Sequence, residues 1–70
     1  MDYKDRFKIE YMQLKERYIK LHNLIIKYHA GTLDFIPSCP MYWLEEQAKH
    51  MGNYLKILEI RAEIEKINLV

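Results

Sequence analysis

Aromatic rings interleaved with cations are the residues of this chain best suited to chemistry. Arg6, Tyr11, Lys15, Tyr18 and His22 fall along adjoining faces of one predicted helix, and Tyr54 and Arg61 along a second. Tyr42 and Trp43 stand together nearer the middle of the sequence. Aromatic faces stack on nucleobases, while Lys and Arg pair with phosphates. A pocket of these residues where two subunits meet would hold a small nucleotide. The plainer account is that tyrosines at this spacing form a packed helix seam. Arg17, Lys20 and Lys27 point away from that seam and read as a solvated face.

Other reactive residue types are too scattered to form a site. His22 and His29 lie seven residues apart, which on a helix is roughly 10 Å, too far for one ion. His50 follows Glu46 by four, but two ligands do not make a metal site. Cys39 precedes a proline at an expected helix start, where the dipole favours a thiolate, yet it has no base nearby in sequence and is expected to cap the helix. Glu45/Glu46 and Glu59/Glu63 read as surface charges. The two glycines are isolated, so no phosphate loop or dinucleotide fingerprint exists. The expectation is no metal, no cofactor and no catalysis.

The elements that must position these residues are unusually legible. Phe7, Tyr11, Leu14, Tyr18, Leu21, Ile25 and Tyr28 recur in a 4-3 rhythm, and Leu44, Ala48, Met51, Leu55, Leu58 and Ala62 repeat it. Such spacing draws one apolar stripe along each helix. The pattern predicts an all-α antiparallel hairpin in a single domain over 1–70, with helices at about 4–29 and 40–67 and a loop at about 30–39. Asp2 is the expected N-cap of the first helix and Gly31 its left-handed stop. Pro40 suits the first position of the second helix, capped by Ser38 or Cys39, and Asn68-Leu69-Val70 is expected to fray. Leu33, Phe35 and Ile36 are too apolar for a free linker and are expected to fold back over the hairpin's end. Gly52, one turn beyond Ala48, makes a small-residue notch that suits a close helix crossing better than a ligand.

Each helix also carries a second apolar set. Met12, Ile19 and Ile26 are spaced by sevens, and Tyr54, Ile57, Ile60, Ile64 and Ile67 run along the second helix. One hairpin partner covers only one stripe per helix. The second set therefore predicts a homo-oligomer, dimeric or higher, assembling into a bundle through Met12, Ile19, Ile26, Ile57, Ile60, Ile64 and Ile67. Size points the same way: a 70-residue chain that is half hydrophobic buries only about 60% of its unfolded surface, and its single cysteine provides no internal staple.

Net charge is +1, which gives no electrostatic case for a nucleic acid polymer or an anionic membrane. Residues 1–29 hold seven Lys/Arg against four Asp/Glu and residues 40–70 four against five, a mild asymmetry suited to antiparallel pairing. The opening MDYKDRFKIE is charged throughout, and only its first residues look like an epitope tag. No signal peptide or membrane span is expected, and a lone thiol fits a reducing cytoplasm.

The strings themselves carry a further expectation. Glu10-Tyr11, Leu14, Arg17 and Lys20-Leu21 give EY-x-x-L-x-x-R-x-x-K-L; Leu44, Gln47, Met51, Tyr54-Leu55, Leu58 and Arg61-Ala62 give L-x-x-Q-x-x-x-M-x-x-Y-L-x-x-L-x-x-R-A. Over nearly the whole chain these resemble a family of small helical-hairpin proteins of gut and Gram-positive phages, with relatives in crAss-like phages, mostly of unassigned function. At the level of a short hairpin the chain is also similar to phage sponges that counter CBASS and Thoeris defence. Their second helix ends in a Met-Trp pair before an Arg-Ala-Ile-like segment. Arg61-Ala62 lacks that pair and Trp43 lies at the helix start, so no pocket residue is carried over. The resemblance implies a phage accessory anti-defence protein acting in the host cytoplasm. It would oligomerise and sequester a cyclic nucleotide or cyclic ADP-ribose type signal without catalysis. The alternatives are a protein–protein inhibitor or adaptor using an exposed helix face, or a structural phage component.

Overall fold

A computed structural model describes residues 2–69 as two helices, α1 over Tyr3–Ala30 and α2 over Met41–Glu65, with no strand among them. They pack lengthwise as an antiparallel hairpin about 42 Å long. Tyr3 reaches Glu65 at one end, and His29 reaches Glu45 at the other.

Local signals set most of the boundaries. The Asp2 carboxylate accepts the Asp5 amide at 2.9 Å, capping donors that have no partner inside the helix. Gly31 takes the left-handed conformation (φ 77°), and the next amide, of Thr32, closes back on the Lys27 carbonyl at 2.9 Å. The second helix departs from expectation at both ends. Pro40 occupies the cap position, one place before the helix, and no side chain caps it; Ser38 and Cys39 remain in the loop. At the other end Lys66 turns left-handed (φ 57°) and the Ile67 amide bonds to the Ala62 carbonyl at 2.9 Å. The helix thus stops two residues short of Ile67.

That stop corrects the role expected of Ile67. It does not continue the outer stripe: the reversal at Lys66 swings it inward, where it is only 6% exposed. It joins Phe7, Tyr11 and Leu14 of α1 and Leu55, Leu58 and Ala62 of α2 in one core. Leu69 packs against this cluster rather than fraying; Val70 lies outside the described residues. Met12, Ile19, Ile26, Ile57, Ile60 and Ile64 are all exposed.

The core occupies the end of the hairpin remote from the loop. Tyr18 and Met51 are partly buried at its edge, Leu21, Ile25, Leu44 and Ala48 are half-buried, and Tyr28 is exposed. The loop does not seal its end as expected. Leu33 is half-buried, but Phe35 is exposed and Ile36 is 93% exposed. Leu33 and Phe35 turn instead toward the side of α1, sharing a groove with Leu24 and Lys27.

Stability should therefore depend on the core end. Leu58, 1% exposed, should cost about 3 kcal/mol on truncation to alanine, and Ile67→Ala about 2 kcal/mol. Ile36→Ala should change stability by less than about 0.5 kcal/mol. Urea denaturation of the three variants checks the ranking; an Ile67→Ala change as small as that of Ile36→Ala would return Ile67 to the surface.

Candidate functional site

The seam places Tyr11 in the core and its hydroxyl at the edge. The ring is 5% exposed, and its hydroxyl donates to Glu59 Oε2 across the hairpin at 2.6 Å. The carboxylate that holds this proton, helped by burial, raises the phenol to a pKa of about 12. Lys15, one turn on, lies over the same ring at 5.7 Å from its centre. One further turn along, Tyr18 stacks on His22, with ring centres 5.7 Å apart and planes 18° from parallel.

Tyr18 also explains the glycine in the middle of α2. A Cβ on Gly52 would stand 3.3 Å from Tyr18 Cε1, so the notch is where the ring lies against the opposite helix. The small residue expected to serve a close helix crossing makes room here for an aromatic side chain of α1. Beside it, Tyr11, Lys15 and Tyr18 from α1 and Gly52, Lys56 and Glu59 from α2 line an open groove of about 280 Å³, with Ile19 and Leu55 completing its wall.

The expected ligand residues are thus divided. Tyr11, Lys15 and Tyr18 share the groove, and His22 adjoins it through Tyr18. Tyr54 and Arg61 belong to other contacts. The Tyr54 hydroxyl donates to Glu10. Arg61 donates to the Tyr3 hydroxyl and, at 3.3 Å, to Glu65, while its guanidinium lies 5.0 Å from the centre of the Phe7 ring. The Tyr3 hydroxyl donates in turn to Glu65 at 2.7 Å, which raises the phenol and lowers the carboxyl. Arg6 is exposed and lies in neither group. The arrangement corrects the expectation that Tyr11 stacks on a ligand, because its face is spent on the core.

Lys56 and Glu59 were not among the expected ligand residues. Their signal is modest: each flanks the seam, Lys56 one place after Leu55 and Glu59 one place after Leu58. The histidines stay apart, with His29 Nε2 2.6 Å from Glu45 Oε1 near the loop. Among the described residues no group of three or more His, Cys, Asp or Glu is placed to hold a metal ion, and no helix is long and apolar enough to cross a membrane.

The Sequestin family model matches residues 1–64, which takes in α1, the loop and nearly all of α2. The chain belongs to the Sequestin family. No curated protein and no solved structure gave a match. The Sequestin match ends just before Glu65, so the Ile67 closure of the core lies beyond it.

The Tyr11–Glu59 bond makes a testable contribution to stability. The folded phenol keeps its proton to about pH 12, whereas an unfolded tyrosine loses it near 10. A raised folded pKa means that the stabilisation is complete below pH 10 and is lost as pH rises from there through about 12. The loss should approach about 3 kcal/mol. Denaturation curves across this alkaline range should fall less steeply for Tyr11→Phe than for the natural chain; equal slopes would show that Glu59 does not hold the phenol.

Proposed function

We infer that this chain sequesters a small anionic signal, holding it stoichiometrically rather than converting it. The observation that carries the reading is the groove itself, in a chain whose family is named for sequestration. Two ammonium groups, Lys15 and Lys56, flank it, and the Tyr18–His22 stack offers an aromatic face beside them. Glu59 is the one acid of the lining, and its carboxylate is engaged by the Tyr11 hydroxyl. Cations for phosphate and a ring for a base are the requirements of a nucleotide. The cargo is a cyclic nucleotide or cyclic ADP-ribose type immune signal. The setting is that of a phage accessory anti-defence protein, working as a homo-oligomer in the host cytoplasm.

A second reading has its own observation. Ile57, Ile60 and Ile64 are exposed at 3-4 spacing on α2, the pattern by which an amphipathic helix lies on a protein. On that reading the sequestered species is a host or phage protein.

Native mass spectrometry with a panel of cyclic nucleotides and cyclic ADP-ribose isomers separates the two. Stoichiometric gain of one ligand mass is expected, and Lys15→Gln or Lys56→Gln should each weaken it by about tenfold or more, the scale of one charge-assisted hydrogen bond. Tyr11→Ala should lower capture and stability together, since its ring is core. No mass gain with any member of the panel would overturn the nucleotide reading in favour of a protein target.

A further inference from the structure

The loop encloses a hollow that the packing of the two helices does not use. Beyond the left-handed turn at Gly31, the Thr32 amide and hydroxyl both return to the Lys27 carbonyl, at 2.9 and 3.5 Å. That tie sets the following residues beside α1 and leaves about 310 Å³ between loop and helix. No residue of this hollow belongs to the interhelical groove.

Its two walls carry opposite charge. From α1 come Lys20, Asn23, Leu24 and Lys27, which at i, i+3, i+4 and i+7 share one face. From the loop come Leu33, Asp34 and Phe35. Leu24 and Leu33 are half-buried, while Phe35 is 53% exposed and leaves its ring open to contact. The charges do not close on one another. Lys20 turns to Glu16, at 3.1 Å. Among the described residues no ion pair engages the Lys27 ammonium or the Asp34 carboxylate.

We propose that this hollow binds a free α-amino acid with a large apolar side chain. The carboxylate of the ligand meets the Lys27 ammonium, with the Asn23 amide beside it, and its own ammonium meets Asp34. The side chain lies among Leu24, Leu33 and Phe35. Only a zwitterion answers both walls: a simple anion leaves Asp34 unmatched, and a polyphosphate is repelled by it. The volume, at the low end of ligand pockets, suits so small a molecule. Exposed ion pairs each contribute little, so the affinity is millimolar and the selectivity comes from requiring both. The site stands independently of sequestration, since the two hollows share no residue.

Amide chemical-shift titrations of the full chain test this with four probes. These are L-phenylalanine, L-leucine, 3-phenylpropionate, which lacks the ammonium, and phenethylamine, which lacks the carboxylate. The two amino acids should shift the amides of residues 20–27 and 32–35 saturably, and each half-ligand should bind at least about threefold more weakly than L-phenylalanine. Asp34→Asn should lower L-phenylalanine to the affinity of 3-phenylpropionate without weakening 3-phenylpropionate itself. Lys27→Gln should lower it to that of phenethylamine in the same way. Both side chains are exposed, so helicity should be unchanged in either variant. No saturable shift with either amino acid overturns the proposal. So does 3-phenylpropionate binding as tightly as L-phenylalanine, or an Asp34→Asn chain that holds L-phenylalanine as well as the natural one. Each of these failures leaves the reading of the interhelical groove standing.

Discussion

Everything in this hairpin depends on how far one helix is allowed to slide along the other, and the Tyr11–Glu59 bond fixes that position. Apolar seams with a 4-3 repeat fit together nearly as well one turn out of step, a shift of about 5.4 Å. A 2.6 Å bond from a buried ring does not survive such a shift. Tyr54 and Glu10 make the reciprocal bond, from α2 to α1. Each is worth about 1 kcal/mol net, small beside the apolar burial, but the burial alone does not choose a register. With the register set, Tyr18 falls on Gly52, and the groove opens between Lys15 and Lys56.

The periodicity of the sequence picks out the stripe that holds the core but treats all of its residues alike. Phe7 and Tyr28 occupy equivalent places in the rhythm, yet one is buried and the other exposed. The difference comes from what closes each end. At the helix termini Ile67 folds over the core; at the loop Phe35 and Ile36 do not. Neither outcome has a local signature. Lys66 adopts a conformation usually left to glycine or asparagine, so nothing in its type announces that the helix ends there. Spacing alone aligns Ile67 with Ile60 and Ile64, and the alignment holds only while the helix continues.

The candidate site was legible in composition and opaque in pairing. Tyrosines among lysines and arginines suggest stacking on a ligand, but a tyrosine hydroxyl that finds a glutamate across the hairpin serves the fold instead. Tyr11, Tyr54 and Tyr3 all go this way, and Tyr3 draws Arg61 with it. Those glutamates sit 48, 44 and 62 residues from their tyrosines, separations that no local pattern reveals. The proposed ligand set narrows accordingly to Lys15, Tyr18, His22 and Lys56. The family was legible to a similar depth: the strings announced a small helical hairpin, and membership of Sequestin adds the sense of sequestering without the cargo.

The proportions of the chain bear on what such a fold is good for. Among the described residues seven buried hydrophobic ones form the core, while Met12, Ile19, Ile26, Ile57, Ile60 and Ile64 stay on the surface. A helix that buries one stripe in its partner keeps roughly two thirds of its circumference available. Two helices are too few to enclose a cavity by themselves, and the groove of about 280 Å³ is at the low end of what ligand pockets occupy. A protein built this way gains enclosure only by adding walls from outside the chain. Sequestration tolerates that arrangement better than catalysis does. Capture requires complementarity held for as long as the ligand is bound, whereas catalysis requires groups fixed within a fraction of an ångström around a reacting centre. A hairpin held in register by two tyrosine–glutamate bonds, with its apolar faces turned outward, meets the first requirement with very little sequence.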